Sequence, residues 1–197
     1  MKKIKTLGDC YVASAGILEV SSDHASNLIS FGLEMHDQMV ALQQIPDLEE
    51  TFANLRAQTS QDNRLRIRVG INSGAVVGGV VGDKKAQFDV WGDTVDVANF
   101  MESEGVPERV HISHATYLRS RHKRRDDDGE RQFVFEPRGK MSLEEVGVEE
   151  EVETFLVKFA PKNQSMSKEM EIRHRKKPRR SQLDKVLKNM QEEEKPL

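Results

Sequence analysis

Apolar and polar positions follow distinct rhythms along the chain. Ile4, Leu7, Tyr11, Val12 and Ile17 mark two short strands within 2–18, and Gly8-Asp9 supplies the turn between them. Leu28, Phe31, Met35, Met39 and Leu42 fall near helical spacing and predict a helix from about residue 23 to about residue 45. Ser21, Ser22 and Asp23 are capping residues at its start, and Pro46 is its stop. Residues 47–63 are polar and read as a surface loop or short helix. Leu65, Ile67, Val69 and Ile71 then alternate with Arg64, Arg66 and Arg68, the period of a half-buried strand. Gly70, Gly74, Gly78, Gly79 and Gly82 punctuate the next segment, with Val76, Val77, Val80 and Val81 among them. Asp93 or Thr94 opens a second helix, which runs through Val97, Phe100 and Met101 to about Glu104. Val110 and Ile112 predict a short strand, 114–121 a short helix and 122–131 a charged loop. Phe133-Val134-Phe135 and Glu153 to Phe159 are the last strands.

The order strand, helix, strand, strand, helix, strand suits an α+β sandwich with its helices on one face of a sheet. From about residue 162 charge replaces apolar density, so disorder is expected there, with a short helix at Leu183, Val186, Leu187 and Met190. The expected organisation is one domain over 1–161 and a charged tail over 162–197. A chain of 197 residues is long enough for one core of ordinary size.

Charge sharpens this division. The tail holds 11 Lys/Arg against 6 Asp/Glu, whereas residues 1–161 hold 19 against 27. A body that acidic is a poor non-specific nucleic-acid binder, which excludes nucleic acid as its partner. The run Arg173-His174-Arg175-Lys176-Lys177-Pro178-Arg179-Arg180 in the tail reads as a nuclear-import signal, an anionic-lipid contact or a plain flexible segment. No stretch approaches the roughly 18 apolar residues of a membrane helix. The single cysteine, Cys10, excludes an internal disulfide and a zinc-finger cluster, and it fits a reducing compartment. Gly78-Gly79-Val80-Val81-Gly82 lacks the Gly-Lys-Ser/Thr of a phosphate loop, so its glycines read as turn and close-packing residues. The six histidines lack metal-ligand spacing.

Three segments carry a resemblance. They are Lys3-Ile4-Lys5-Thr6-Leu7-Gly8-Asp9-Cys10-Tyr11; Arg68-Val69-Gly70-Ile71-Asn72-Ser73-Gly74 running on to Gln87-Phe88-Asp89-Val90-Trp91-Gly92-Asp93-Thr94-Val95; and Met101-Glu102 to Gly105-Val106-Pro107 with Val110-His111-Ile112-Ser113. In order and spacing, over about residues 2–159, they resemble the catalytic domain of class III nucleotide cyclases. The likeness is greatest to the first of the two paired cytosolic domains of membrane adenylyl cyclases. The resemblance implies a ferredoxin-like sandwich and conversion of ATP to 3′,5′-cyclic AMP and pyrophosphate, with Mg²⁺ or Mn²⁺. It also implies a site shared across a homodimer or, better, a heterodimer with a second cyclase domain. It places the chain in the cytoplasm, on a parent protein that can be membrane-attached.

Residue by residue, Asp9 resembles the second of the family's two metal aspartates, although Asp also simply suits a Gly-Asp turn. Lys5 and Asp89 sit at the base-reading positions. Lysine donates to adenine N1 and aspartate accepts from N6, whereas related guanylyl cyclases carry Glu and Cys-like residues there, so the pair implies ATP. Lys140, in Arg138-Gly139-Lys140-Met141, resembles the lysine that reaches the triphosphate; a surface lysine is the other reading.

Two departures bear on activity. The family's catalytic Asn and Arg positions hold Asp96 and Phe100 here. Phenylalanine cannot stabilise charge at the α-phosphate, so the chain alone is expected to be inactive, and to act as the metal-side half of an asymmetric dimer. The family's opening strand, with its first metal aspartate, has no counterpart, so an N-terminally incomplete domain with its first strand missing is expected. The alternative function is a catalytically silent cyclase-like domain that binds nucleotide or pairs with an active one.

Overall fold

The computed structural model describes residues 1–45, 65–121 and 132–160. Strands β1 (Lys2–Leu7) and β2 (Cys10–Ser14) form the expected hairpin, and Gly8 takes the left-handed φ of +60° that its turn requires. Helix α1 (His24–Leu42) follows. Its N-cap is Asp23, but the Asp23 side chain makes no capping bond; Ser21 Oγ instead accepts from the Asp23 amide at 3.2 Å. Pro46, the expected stop, lies outside the described residues, as do the 47–63 and 122–131 loops and the tail with its expected short helix.

The arginine-alternating strand is shorter than its pattern. β3 covers only Val69–Ile71. Its ladder partner β6 (Val110–Ser113) begins opposite Val69, so among the described residues Leu65 to Arg68 have no neighbouring strand. The Gln43 side-chain amide instead both donates to and accepts from the Leu65 backbone, at 2.9 and 2.8 Å. The glycine-punctuated segment is a hairpin that periodicity missed, β4 (Val77–Val81) against β5 (Gln87–Trp91). Gly78 and Gly79 make room there, since a Cβ on them would lie 2.9 Å from the Phe88 ring and 3.2 Å from Trp91. Helix α2 (Asp93–Ser103) is capped by the Gly92 carbonyl rather than by Asp93 or Thr94. Helix α3 (His114–Ser120) starts at Ser113, whose Oγ accepts from the Thr116 amide. The last pair, β7 (Phe133–Ser142) and β8 (Glu151–Phe159), is longer than expected, and β7 carries Pro137 and Gly139 at a register shift where a bulge tolerates them.

The architecture is α+β, with a four-stranded sheet in the order β3-β6-β8-β7 and two separate hairpins. One expectation is corrected: the helices do not share one face of the sheet. Val69 faces α1, where a Cβ on Gly32 would lie 2.9 Å from it; the next residue, Gly70, faces α2, where a Cβ would lie 2.1 Å from the Glu102 amide. Ile29 and Leu33 of α1 pack with Ile71, Val110, Ile112, Phe155 and Val157 on the first face. Val97, Phe100 and Met101 of α2 pack with Leu143 in a second cluster. Strand β6, covered on both sides, is buried throughout.

Two buried histidines mark the layer boundaries. His111 has no exposed surface, and its Nδ1–H donates to the Met101 carbonyl at 2.8 Å. His36 is buried on α1, and its Nε2 has no partner among the described residues. Burial pushes both imidazoles below the ordinary histidine value, against the opposing pull of their backbone hydrogen bonds, and the Arg138 guanidinium adds to the effect at His111. The folded state therefore favours the neutral rings, and the unfolded chain binds more protons below its histidine value of about 6.5. Stability should be full above pH ~6.5 and fall as pH drops below it. Denaturant midpoints at pH 7.5 and pH 5.5 test this: a lower midpoint at pH 5.5 is expected, and His36→Leu should shrink the difference. Equal midpoints would contradict the assignment.

Candidate functional site

Lys5 and Asp89, 84 residues apart, meet as an ion pair. Lys5 Nζ donates to Asp89 Oδ2 at 2.8 Å, and the Val90 amide donates to Asp89 Oδ1 at 2.7 Å. The local backbone explains the meeting. A register shift between Lys3 and Lys5 interrupts the first hairpin, and Ile4 at the shift is buried. Asp89 sits mid-strand on β5, opposite Gly79 of β4. The Lys5 ammonium, as hydrogen-bond donor, holds the Asp89 carboxyl below the usual carboxylate range, with the Val90 amide assisting. Side-chain exposure of 23% and 29% leaves both groups reachable by a ligand. The result is one cationic donor and one anionic acceptor side by side, able to read a donor–acceptor edge.

Asp9 stands exposed on the turn of the same hairpin, at the rim of a groove of about 960 Å³. Beside it, burial pushes the Cys10 thiol up, with the Glu102 and Asp9 carboxylates adding to the shift. The field at the turn is therefore negative, and the thiol stays protonated. Among the described residues no three His, Cys, Asp or Glu side chains converge on a point. Asp9 by itself does not meet the several oxygen ligands that Mg²⁺ demands, so the described residues do not make the expected Mg²⁺ or Mn²⁺ site.

The remaining expected residues fall elsewhere. Asp96 is exposed on α2. Phe100 is 8% exposed and lies in the second core cluster, so it is a packing residue in this chain. Lys140 is exposed on β7, 3.7 Å from Glu151, and among the described residues no hydrogen bond or ion pair joins it to Lys5, Asp9 or Asp89.

One group of positioning residues escaped the sequence reading. Asn72 Nδ2 donates to the Thr94 carbonyl at 3.1 Å, and Asn72 Oδ1 accepts from Ser113 Oγ at 2.6 Å. Thr94 Oγ1 donates to the Ala75 carbonyl at 2.6 Å. These bonds tie the ends of β3 and β6 to the start of α2, and hence to β5. The polar triplet Asn72-Ser73-Gly74, directly after an apolar strand, was the available signal.

The family model for the adenylate and guanylate cyclase catalytic domain matches residues 1–159. Adenylyl cyclase X E of Drosophila melanogaster is 39% identical over 116 residues, which is 59% of this chain and 9% of that protein. The receptor-type guanylate cyclase gcy-28 of Caenorhabditis elegans is 32% identical over 115 residues, 58% of this chain and 8% of that protein. The chain thus spans about a tenth or less of the length of these curated relatives. A crystal structure of the catalytic core of a rhodopsin-guanylyl cyclase with converted specificity, in complex with ATPαS, superposes with a TM-score of 0.59 at 29% identity, covering 80% of this chain and 71% of that one. With the three motif segments, the α+β fold and the matched family model in agreement, the chain belongs to the adenylate and guanylate cyclase catalytic domain family.

Proposed function

We propose that the chain is one half of an adenylate cyclase site, which reads adenine through Lys5 and Asp89. The observation that carries this reading is the 2.8 Å contact between the two side chains. Ammonium has three donors and carboxylate about four acceptor positions, so each keeps capacity for the base while the pair persists. Lys5 then donates to N1 and Asp89 accepts from N6. Guanine offers a donor at N1 and an acceptor at O6, so the same pair would face like groups. Such a mismatch costs about 1–3 kcal/mol, roughly ten- to hundredfold in selectivity.

The chemistry asks for attack of the ribose 3′-OH on the α-phosphate and stabilisation of the charge that develops there. This chain contributes base reading, and Asp9 offers one carboxylate on the same hairpin as Lys5. Asp9 alone does not supply the several oxygen ligands a divalent cation needs. Lys140 is proposed to contact the triphosphate in the assembled site. No cation stands at Phe100, so the arginine role falls to a second cyclase domain, and the site works as a heterodimer in the cytoplasm. The burial of Phe100 also favours a second reading, a silent domain that holds nucleotide for an active partner.

Two assays separate these readings. The full chain alone should make no detectable cyclic nucleotide with either Mg²⁺ or Mn²⁺, and activity should arise when a partner domain carrying the Asn and Arg is added. Family-level turnover by the chain alone would contradict the half-site reading; no gain with such partners would favour the silent domain. In an active pair, Lys5→Glu with Asp89→Cys should move the ATP:GTP preference toward GTP by about tenfold or more. Unchanged selectivity would remove the base-reading assignment.

A further inference from the structure

The last turn of α2 holds no basic residue, and the final carbonyls of a helix have no partners within it. Two side chains from the sheet serve that end instead. His111 Nδ1–H on β6 donates to the Met101 carbonyl at 2.8 Å, and Arg138 Nη1 on β7 donates to the Glu104 carbonyl. Arg138 owes its reach to the strand. Pro137 stands opposite Phe155 and Gly139 opposite Thr154, consecutive residues of β8, so Arg138 is the extra residue of a bulge. Thr154 Oγ1 donates to the Gly139 carbonyl at 3.3 Å and braces the bulge, where Gly139 takes a φ of +107°. A bulge re-aims its extra side chain, here across β8 to His111 and α2. The same Nη1 stands 3.4 Å from His111 Nδ1 and 3.5 Å from Nε2. A point nearly equidistant from both nitrogens lies over the ring rather than along either lone pair. The guanidinium therefore rests on the imidazole face, a contact that a neutral ring accepts and an imidazolium repels.

We propose that Arg138 is a positioning residue that latches the carboxyl end of α2 to the sheet across the His111 ring, and that a proton on His111 opens the latch. His111 has no exposed surface, and its ladder neighbours are Gly70 on β3 and Leu156 on β8, neither of them charged. The charged groups that act on the ring are Arg138 from β7 and Glu104 from the end of α2. Glu102, on the same helix, is paired with Arg68 at 2.9 Å. Burial above all, with Arg138, holds the ring below the ordinary histidine value, against the pull of the Met101 bond and of Glu104. The latch is therefore shut at neutral pH and opens as pH falls below about 6.5. Once the ring is charged, the buried His111 keeps its Nδ1–H bond to Met101, and the exposed Arg138 is the cation that leaves for solvent.

Gly92 joins α2 directly to β5, so an open latch also loosens the junction behind Asp89. Only that consequence depends on the nucleotide reading; the latch itself rests on the bulge, the ring and the helix end.

Hydrogen–deuterium exchange and histidine NMR on the full chain, without nucleotide, test it. The Glu104 and Gly105 amides bond to the Phe100 and Glu102 carbonyls at 3.0 and 2.8 Å, so they report on the last turn of α2. Corrected for the intrinsic effect of pH, their exchange should rise about tenfold or more between pH 7.5 and pH 5, while the amides of residues 110–113 stay protected. Arg138→Met keeps most of the side-chain length and loses the charge and the donor. In that variant the two amides should exchange fast at both pH values, and the titration midpoint of the His111 ring should rise. His36→Leu should keep the pH response, which separates the latch from the other buried histidine. Exchange at Glu104 and Gly105 that ignores pH would overturn the proposal. So would a pH response that survives Arg138→Met or is lost in His36→Leu, or a His111 titration that Arg138→Met leaves in place. Equal loss of protection at residues 110–113 would mean global unfolding, and would also overturn it.

Discussion

The close approach of helix α2 to strand β3 is the constraint on which the rest of the domain depends. A Cβ at Gly70 would stand 2.1 Å from the Glu102 amide and 2.6 Å from the Ala98 carbonyl. Backbone atoms cannot move aside as a flexible side-chain tip can, so any other residue there would lift the helix off the sheet. The contact sets Met101 into the core, places its carbonyl on His111, and brings Val97 and Phe100 against Leu143. Packing of this density forces neighbouring elements to follow, because interiors transmit displacement rather than absorb it.

The site inherits its geometry from that contact. Gly92, at φ +112°, turns the chain from β5 directly into α2, so the position of the helix fixes the strand that carries Asp89. The Asn72, Ser113 and Thr94 bonds hold the same junction from the other side. Lys5 then reaches Asp89 from a hairpin whose register shift lies beside it. An ion pair made from two strands is thus only as well defined as the glycine-mediated packing behind it. The core role of Phe100 follows from the same helix face, and this links the missing arginine to stability as well as to chemistry: a cation at that position would be buried among Val97, Met101 and Leu143.

Periodicity was enough for elements that bury one face. The Val97, Phe100, Met101 spacing of α2 was legible because that side meets the core, whereas α1 was legible as a helix but not in its core face: Ile29 and Leu33 are buried, and the stripe of Leu28, Phe31 and Met35 is half-buried along the groove. The β4–β5 hairpin was not, since its glycines replace the apolar alternation, and Val77, Val80 and Val81 are exposed. β3 was overdrawn because alternation continues through Leu65 and Ile67, where no strand stands alongside among the described residues. The opposite placement of the helices was hidden as well: it depends on Val69 and Gly70 facing different helices, which no local pattern records. The Lys5–Asp89 meeting was legible only through motif resemblance, because a separation of 84 residues leaves no periodic trace. Phe100 carried both signals, and its packing role was the one visible in spacing.

The central claim is that Lys5 and Asp89 form an adenine-reading pair. Trp91 is the chain's single tryptophan and lies two residues from Asp89 on the same strand, so it reports directly on occupancy beside the pair. Titrating the full chain with ATP and with GTP while following Trp91 fluorescence measures binding without requiring turnover. The account predicts a saturable response to ATP at least about tenfold tighter than to GTP, with the difference lost in Lys5→Glu. Equal affinity for the two nucleotides, or a preference for GTP, would contradict it.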